Sequence, residues 1–273
     1  MRFIFCFVII YHKYGGDVLK FLVVTDLHYS DKPLGGNGRY HEMSLTKLRE
    51  ALQKYSDGCE FAVCLGDIAD AADGYKPQAQ GLKELSEVWH SFDIPFYAMI
   101  GNHDTAMSKP EFCRLTGMPH RYYSVETHDY LCLMLDTNMN SPDEPYPESE
   151  IKWAYCYMDY EQLDWAKEKI SASDKPVVIF THALLDFDVD EGERNDHVLV
   201  NADEVKQALL SSDKVEAVFS GHYHDGLNMK LGNIPYVVFN SMCNGPTNNF
   251  AVVEVENGTV SIKGYGTQKD ITI

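Results

Sequence analysis

The segment VFSGHYHDG, Val218 to Gly226, places His222 and His224 two residues apart, directly after a short apolar run. Imidazole is a common ligand of transition metals, so the pair is a candidate part of a metal site. The same spacing also suits two histidines of an ordinary loop. The metal hypothesis therefore depends on which other side chains the fold brings to this pair.

Four further segments carry metal-ligand residue types directly after an apolar run. They contain Asp26 and His28 (DLH), Asp67 (GD), Asn102, His103 and Asp104 (GNHD), and His182 (TH). Each motif alone is weak, because Gly-Asp after a strand is often only a turn and a single histidine is more often a core residue than a ligand. The recurrence at five apolar runs favours one shared site.

The elements predicted around these motifs explain how they could meet. The strand-length apolar runs LKFLVV, EFAVCLGD and PFYAMI alternate with amphipathic helical patterns in HEMSLTKLREALQKYS and QAQGLKELSEVWHSF. This βαβαβ order is typical of a largely parallel sheet with helices packed on it. Because the carboxyl ends of such strands face a common crevice, we expect the motifs to converge there.

The second half of the chain is richer in strands. RYYSVETHDYLCLMLDT predicts a hairpin, KPVVIFTH and VEAVFSGHYH predict strands, and DYEQLDWAKEKISAS predicts a helix. NADEVKQALLSS predicts another helix with Asn201 as its N-cap. MKLGNIPYVVFNS and FAVVEVENGTVSIKGYG are typical of antiparallel strands, the latter joined by a two-residue turn at Asn257-Gly258. With no internal repeat or linker, residues 18–273 are expected to form a single domain.

Composition excludes several classes of protein. Of the 273 residues, 45% are hydrophobic and 23% are charged, as in ordinary globular chains, and the formal net charge of −18 disfavours broad docking on a nucleic acid polymer. The seven scattered cysteines contain no C-x-x-C pair and are expected to be reduced core residues of a cytoplasmic protein. Residues 1–17 are treated as an N-terminal extension. Its apolar run, Phe3 to Ile10, is too short to span a bilayer, which leaves membrane association only as a weak alternative.

In order and spacing, the DLH, GD, GNHD, TH and GHYH segments resemble the five signature blocks of the calcineurin-like metallophosphoesterases, over Leu19 to about Gly266. The resemblance implies an α/β fold in which two mixed β-sheets pack as a sandwich flanked by helices. It also implies two divalent metal ions, with Mn2+ expected and Fe or Zn as alternatives. The implied ligands are Asp26, His28 and His224 for one ion, Asn102, His182 and His222 for the other, and Asp67 as the bridge.

The same resemblance implies a hydrolytic reaction. Two cations roughly 3.5 to 4 Å apart can orient a bridging hydroxide for in-line attack on phosphorus. By resemblance, His103 contacts a phosphoryl oxygen or protonates the leaving group, and Asp104 orients its ring. Gly221 is expected to let the backbone turn sharply beneath the final histidine pair, and Tyr223 between those histidines is assigned a structural role.

A narrower similarity concerns the substrate. GRYHEMSLTKLREAL, LGDIAD, NADEVKQALL and GHYHDG are similar to the manganese-dependent ADP-ribose/CDP-alcohol diphosphatase branch, which implies cleavage of a phosphodiester or pyrophosphate bond in a small nucleotide-type substrate. Arg39 and Tyr40, after a Gly-rich turn, are candidates to contact a second phosphate or a base. Arg194 is a further candidate, in the acidic stretch Asp186 to His197. A plain surface loop explains the first segment about equally well and explains the acidic stretch better.

Several alternatives remain open. A cyclic-nucleotide phosphodiesterase shares the DLH form, and a broad phosphomonoesterase would use the same site. A purple acid phosphatase is disfavoured because Asp70 stands where those enzymes have Tyr, and an exonuclease is disfavoured by the acidic charge. The non-enzymatic alternatives are a scaffold with the same fold, as in the retromer subunit, and a metal sensor. The expected partner is a small phosphorylated molecule, not a nucleic acid or a membrane, and oligomeric state has no signal.

Overall fold

Two six-stranded β-sheets form the centre of the computed structural model, which describes residues 18–32, 38–70, 78–141, 143–145, 156–187 and 195–273. Within these ranges the strands are β1 (Val18–Val24), β2 (Phe61–Cys64), β3 (Phe96–Ala98), β4 (Tyr123–Glu126), β5 (Leu131–Met134), β6 (Met139–Ser141), β7 (Glu144–Pro145), β8 (Val177–Thr181), β9 (Val215–Ser220), β10 (Leu227–Leu231), β11 (Ile234–Val238), β12 (Phe250–Glu256), β13 (Thr259–Tyr265) and β14 (Ile271–Thr272). The α-helices are α1 (Ser44–Tyr55), α2 (Gln78–Trp89), α3 (Lys109–Thr116), α4 (Tyr160–Ala172) and α5 (Ala202–Leu209).

Both sheets are mixed, as predicted. The first has the order β14-β13-β12-β1-β2-β3, in which β1, β2 and β3 run parallel and β12 pairs antiparallel with β1. The second has the order β10-β11-β9-β8-β5-β4, in which β5, β8, β9 and β11 run parallel. A short ladder joins β6 and β7. In each sheet the parallel strands therefore end at a common edge.

The sheets pack face to face, with helices on their outer faces. The Phe21 ring lies 5.3 Å from that of Phe180 and 5.4 Å from that of Phe219, so aromatic side chains of both sheets fill the space between them. A second apolar cluster buries α1, α2 and α3 against the first sheet, and a third buries α4 and α5 against the second. Each helix hides one apolar face in this way, which gives four layers.

Two details of the predicted turns and caps can be compared with the structure. The hairpin between β12 and β13 turns at Asn257 and Gly258, with φ angles of 50° and 71°, as predicted. Asn201 is the N-cap residue of α5, as predicted, but its side chain makes no capping hydrogen bond. It instead accepts from Met158 N and donates to Met158 O, which ties α5 to the segment before α4.

Six of the seven cysteines lie in the described part of the chain, and these are free thiols, four of them buried, as expected for reduced core residues. Cys6 and the rest of residues 1–17 lie outside the described residues. The single-domain organisation of residues 18–273 stays a prediction. Among the helices described, none combines the length and the apolar character that crossing a membrane requires.

Candidate metal centre

The five motifs meet at the carboxyl ends of five strands. The segments that follow β1, β2 and β3 in the first sheet supply Asp26, His28, Asp67, Asn102 and His103, and those that follow β8 and β9 in the second supply His182, His222 and His224. Backbone hydrogen bonds link the segments, including His28 N to Asp67 O at 2.9 Å and Gly221 N to His182 O at 3.2 Å. The convergence expected from the parallel strand order is thus present.

One cluster contains Asp26, His28 and His224. Nε2 of His28 lies 3.1 Å from Nε2 of His224 and 3.7 Å from Oδ1 of Asp26, and His224 Nε2 lies 3.4 Å from the same oxygen. The other carboxylate oxygen of Asp26 accepts hydrogen bonds from Thr25 Oγ1 and His222 N. The carboxylate is therefore fixed with Oδ1 directed at the two imidazoles.

A second cluster contains Asn102, His182 and His222. Nε2 of His182 lies 3.0 Å from Oδ1 of Asn102, and the rings of His182 and His222 are 4.8 Å apart. All three residues are buried. The cluster therefore gathers an amide oxygen and two imidazoles away from bulk water.

Asp67 lies between the two clusters. Its Oδ1 is 3.4 Å from Nε2 of His182, whereas its Oδ2 is 3.5 Å from Nε2 of His28. The ligand atoms of Asp26, His28 and Asp67 all lie within 4.8 Å of one another, and the same holds for Asp67, His182 and His222. Asp67 thus offers one carboxylate oxygen to each cluster.

Hydrogen bonds at Nδ1 orient three of these histidine rings. His28 donates to Asp70 Oδ1 at 2.8 Å, His182 to Leu65 O at 2.8 Å and His224 to Asn244 Oδ1 at 3.2 Å. With the proton at Nδ1, each Nε2 carries the lone pair, and this tautomer is the one that metal-ligating histidines adopt. Each Nε2 then faces the centre of its cluster.

The donor set fits metal cations. In these tautomers, His28 Nε2 faces His224 Nε2 and His182 Nε2 faces Asn102 Oδ1 at about hydrogen-bond distance, although both atoms of each pair are acceptors. Within the described chain, the buried atoms Asp26 Oδ1 and His222 Nε2 have no hydrogen-bond partner. An unsatisfied buried polar atom costs about 1–3 kcal/mol, which a bound cation at each cluster would remove.

The electrostatic balance also favours cations. Burial opposes ionisation of Asp26, but the imidazoles of His224, His28 and His182 together outweigh it and hold the pKa of Asp26 well below its usual range. Asp67 behaves alike: its pKa is lowered by the charge of His182 against the effect of burial. Burial lowers the pKa of His222 strongly. The site therefore combines ionised carboxylates with a neutral imidazole at His222. Burial opposes the charge of His28 and His182, but the carboxylates outweigh it and raise the pKa of His28 well above its usual range and that of His182 to about 9. These two imidazoles would lose a proton when a cation binds, as metal ligands require.

Four of the candidate ligands have a left-handed backbone. The φ angles are 51° at Asp26, 45° at His28, 50° at Asp67 and 68° at His222. Among the residues that the structure covers, Asn257 is the only other non-glycine residue with positive φ. This conformation is uncommon outside glycine and costs on the order of 1 kcal/mol or more at each residue.

Gly221 has a different role from the predicted one. The positive φ angle belongs to His222, and glycine is required at Gly221 because there is no room for a Cβ atom. A Cβ at Gly221 would overlap Thr25 Oγ1 and would lie 2.9 Å from Asp26 Oδ2. The bare backbone lets the two sheets approach at this edge.

Above the two clusters lies an open cleft of about 460 Å³. Its lining includes Asp67, Asn102, His103, His197, His222, Tyr223, His224, Asp225, Asn244 and Arg39. Arg39 thus lies where a substrate contact was predicted, and an isolated β-bridge holds its backbone to Asn244. Tyr40 is outside this lining, and its backbone N donates to Cys243 O. Arg194 lies outside the described residues.

His103 lines the cleft, but its orienting partner differs from the predicted one. Nδ1 of His103 is hydrogen bonded to Asp70 Oδ1 at 2.7 Å. The buried carboxylate of Asp104 instead accepts from the backbone N–H groups of Gly101, Ile68 and Ala69. Asp104 therefore shapes the loop, because its side chain points at backbone donors, and Asp70 holds the ring.

Sequence reasoning also missed residues around the clusters. Asp70 was compared only with the tyrosine of another enzyme class, although it follows Asp67 by three residues. His197 does not follow an apolar run, so the pattern of ligands at strand ends does not include it, yet its ring lies 4.9 Å from that of His222. The Cys243 thiol lies within 4.8 Å of ligand atoms of His28 and His224. Burial raises its pKa, which favours the neutral thiol over a metal-binding thiolate.

A family model described as calcineurin-like phosphoesterase matches residues 19–226, which include every motif of the candidate site. The chain belongs to this family. The family expected from the five motifs is thus confirmed, and the family implies a centre of two divalent metal ions.

Curated relatives of this calcineurin-like phosphoesterase carry three kinds of name. A serine/threonine-protein phosphatase CPPED1 of Danio rerio is 27% identical over 221 residues, which are 73% of this chain and 67% of that protein. A manganese-dependent ADP-ribose/CDP-alcohol diphosphatase of Arabidopsis thaliana is 26% identical, over 77% of this chain and 81% of that protein. A 3',5'-cyclic adenosine monophosphate phosphodiesterase of Haemophilus influenzae is 22% identical, over 83% and 77% respectively.

Among solved structures, a dimetal phosphatase from Danio rerio superposes with a TM-score of 0.78 and 20% sequence identity, covering 93% of this chain and 98% of that one. This similarity confirms the predicted sandwich of two mixed sheets. Family membership and the names of the relatives identify the chain as a hydrolase.

Proposed function

We propose that this chain is a two-metal phosphohydrolase that cleaves a phosphodiester or pyrophosphate bond in a small nucleotide-type substrate. The observation that carries the proposal is the position of Asp67, whose two carboxylate oxygens face two separate clusters of buried ligand atoms. A single-metal site would need only one such cluster. Oδ1 also accepts a hydrogen bond from His103 N at 2.8 Å, but the Nε2 atoms that both oxygens face are acceptors, which a purely structural carboxylate would not be expected to face.

The proposed ligands are Asp26, His28 and His224 for one ion, Asn102, His182 and His222 for the other, and Asp67 between them. Nitrogen and oxygen donors without thiolate suit Mn2+, Fe or Zn. We favour Mn2+, which the name of the Arabidopsis relative specifies. When bound, two such ions would lower the pKa of a water molecule and neutralise charge on the phosphate.

His103 is proposed to contact a phosphoryl oxygen or to donate a proton to the leaving group. Its side chain reaches the cleft, and its Nε2 lies 3.9 Å from Asp67 Oδ2, beside the proposed ions. The bond from Nδ1 to Asp70 fixes the ring, so that Nε2 faces the substrate space. Donation from Nε2 uses the imidazolium form, which Asp67 and Asp70 stabilise against the burial that lowers the pKa of His103. Arg39 is proposed to pair with a second phosphate, since its guanidinium is the permanently charged cation of the described lining.

The names of the relatives favour two other substrate classes as alternatives. A cyclic nucleotide or a phosphomonoester, including a phosphorylated side chain, would use the same metal ligands. The net charge of −18 supports a small substrate over a nucleic acid polymer. A scaffold without activity is disfavoured because all seven ligand positions carry a suitable residue type.

A substrate panel tests the proposal. ADP-ribose, CDP-choline, cyclic AMP, a simple monoester and a phosphoserine peptide are each incubated with the Mn2+-loaded protein, and bound metal is measured separately. We expect about two ions per chain. ADP-ribose or CDP-choline should be cleaved fastest, and turnover by Asp67→Asn should fall at least about 1,000-fold.

The matched control is Asp93→Asn, an exposed carboxylate on the loop after α2, which should retain wild-type activity. Stoichiometric metal without cleavage of any substrate would refute the enzymatic proposal. Preferential cleavage of the phosphoserine peptide would instead move the substrate to the class named by the CPPED1 relatives.

A further inference from the structure

Two aromatic rings flank the second ligand cluster in the cleft. Tyr223 and His197 both line the cleft and are both half-buried, so part of each ring is accessible. The ring of His197 lies 5.3 Å from that of Tyr223 and 4.9 Å from that of His222. Neither ring is among the proposed metal ligands, and the proposed reaction assigns them no role.

The surroundings hold these rings in place. The ring of Phe187 packs 4.8 Å from that of Tyr223, and both belong to the apolar cluster of the second sheet. The backbone of Tyr223 donates to Gly221 O and accepts from Gly226 N. His197 donates through its backbone N and its Nδ1 to Asn195 Oδ1, each at 2.9 Å. The aromatic surface is therefore ordered before any ligand arrives, which lowers the entropic cost of binding.

Arg39 lies near one ligand cluster, whereas the two aromatic rings lie near the other. The backbone of Arg39 is bridged to Asn244, whose side chain bonds His224 of the first cluster. His197 contacts His222 of the second cluster. A ligand with a phosphate at the ions would thus meet a cation beside one cluster and aromatic faces beside the other.

We propose that Tyr223 and His197 form a stacking surface for the base of a nucleotide substrate. The proposal rests on the proposed function, because the phosphate of that substrate is what the metal ligands position. Any planar base can stack on an aromatic side chain, because stacking does not depend on the hydrogen-bonding groups at the edge of the base. The surface therefore favours ligands that carry a base but does not distinguish one base from another. Tyr223, first assigned a structural role from its place between two ligands, becomes a determinant of specificity.

The test compares two ligands that differ by a nucleoside. Calorimetry measures the affinity of the Mn2+-loaded protein for α,β-methylene-ADP and for methylenediphosphonate. Both ligands contain a P–C–P bridge that cannot be hydrolysed, and the second lacks the ribose and the base. We expect the wild-type protein to prefer the nucleotide by about 10-fold or more. Tyr223→Leu and His197→Asn should each lose most of this preference, whereas Tyr223→Phe should keep it.

Tyr160→Leu is the matched control, since Tyr160 is an exposed tyrosine on α4 outside the lining of the cleft, and it should keep the preference. Circular dichroism and metal content establish that each variant is folded and loaded. Equal affinities for the two ligands in the wild-type protein, or a preference that survives either ring-removing substitution, would overturn the proposal. Turnover of the substrate panel is measured in parallel. If no substrate is cleaved but the preference for the nucleotide is normal, the hydrolytic function is refuted and the stacking surface is still supported.

Discussion

Asp70 connects three histidines of the candidate site through one carboxylate. Its Oδ1 lies 2.8 Å from Nδ1 of His28 and 2.7 Å from Nδ1 of His103, and its Oδ2 lies 3.3 Å from Nδ1 of His41. The cationic surroundings hold the pKa of Asp70 well below its usual range, against the effect of its own burial. One ionised side chain thus orients both a proposed ligand and the proposed proton donor.

Replacing Asp70 with Asn should lower kcat about 10- to 100-fold, because an amide can accept through one oxygen only and cannot match the charge of the carboxylate. Steady-state kinetics at saturating Mn2+ give kcat, and a Mn2+ titration gives the half-saturating metal concentration, which should rise since His28 is a proposed ligand. Asp93→Asn again serves as the surface control. Unchanged kcat and unchanged metal dependence in Asp70→Asn would contradict this role.

The candidate ligands were predictable as residues of one shared site because each follows an apolar run of strand length, whereas their division between two ions came from the family resemblance. Asp70 and Asn244 were not predictable, because each acts through a contact that only the folded loops create. The role of Asp104 was misassigned for a related reason. Adjacency to His103 in sequence suggested a contact between the side chains, but the turn directs the Asp104 carboxylate at the backbone of the neighbouring loop.

The loop after β9 contains Gly221, where the structure leaves no room for the methyl group of alanine. Gly221→Ala should destabilise the protein by about 1–3 kcal/mol, since the new Cβ would overlap Thr25 Oγ1 and displace Asp26. Urea unfolding of the metal-free protein measures this change in the free energy of unfolding.

Gly81→Ala on α2 is the comparison, because its Cβ would meet Tyr29 at an ordinary 3.5 Å. Alanine should there stabilise the helix by about 0.5–1 kcal/mol. Equal effects of the two substitutions would show that Gly221 is not sterically required.

Helix α3 shows why some elements escape sequence analysis. It has eight residues, of which only Phe112 and Thr116 are buried, so it lacks the repeated apolar positions by which α1 and α2 were recognised. Its own signals are local: Ser108 caps its N-terminus by accepting from Glu111 N, and Gly117 ends it with φ at 77°. The strands β6, β7 and β14, of two or three residues each, escaped prediction as well, whereas the predicted strands follow continuous apolar runs.

An ionic network joins the two halves of the sandwich. The buried carboxylate of Asp136, after β5 in the second sheet, pairs with Lys109 of α3 on the first sheet and with Arg121. Arg121 also pairs with Asp159, the N-cap of α4. Burial opposes the charge of Asp136, but Lys109 and Arg121 outweigh it and lower its pKa.

Because the pKa of Asp136 is lower in the folded than in the unfolded chain, the carboxylate stabilises the fold above the unfolded value of about 3.9 and loses this effect as the pH falls further. Asp136→Asn should cost about 3 kcal/mol at pH 7, and the difference from wild type should shrink below about pH 4. Urea unfolding between pH 7 and pH 3 measures both. Asp164→Asn, an exposed carboxylate on α4, should show almost no difference at any pH. A penalty for Asp136→Asn that does not vary with pH would contradict the assignment.

The assignment of strands to sheets came from the family resemblance and not from the pattern of residues. β1 pairs with β12 through Val18 and Glu256, which are far apart in the sequence, and apolar runs alone do not specify such partners. The alternation of strands and helices did predict that the carboxyl ends would meet, because that outcome follows from parallel direction and does not require the register.

The left-handed backbone at Asp26, His28, Asp67 and His222 is less stable than ordinary backbone, and the side chains at these positions are the ones that the proposed metal centre needs. Glycine at these positions would relax the main chain but would remove the candidate ligand atom, so the fold alone gains nothing from the residues present. At each of these positions the chain therefore gives up main-chain stability for a side chain that the proposed metal centre requires.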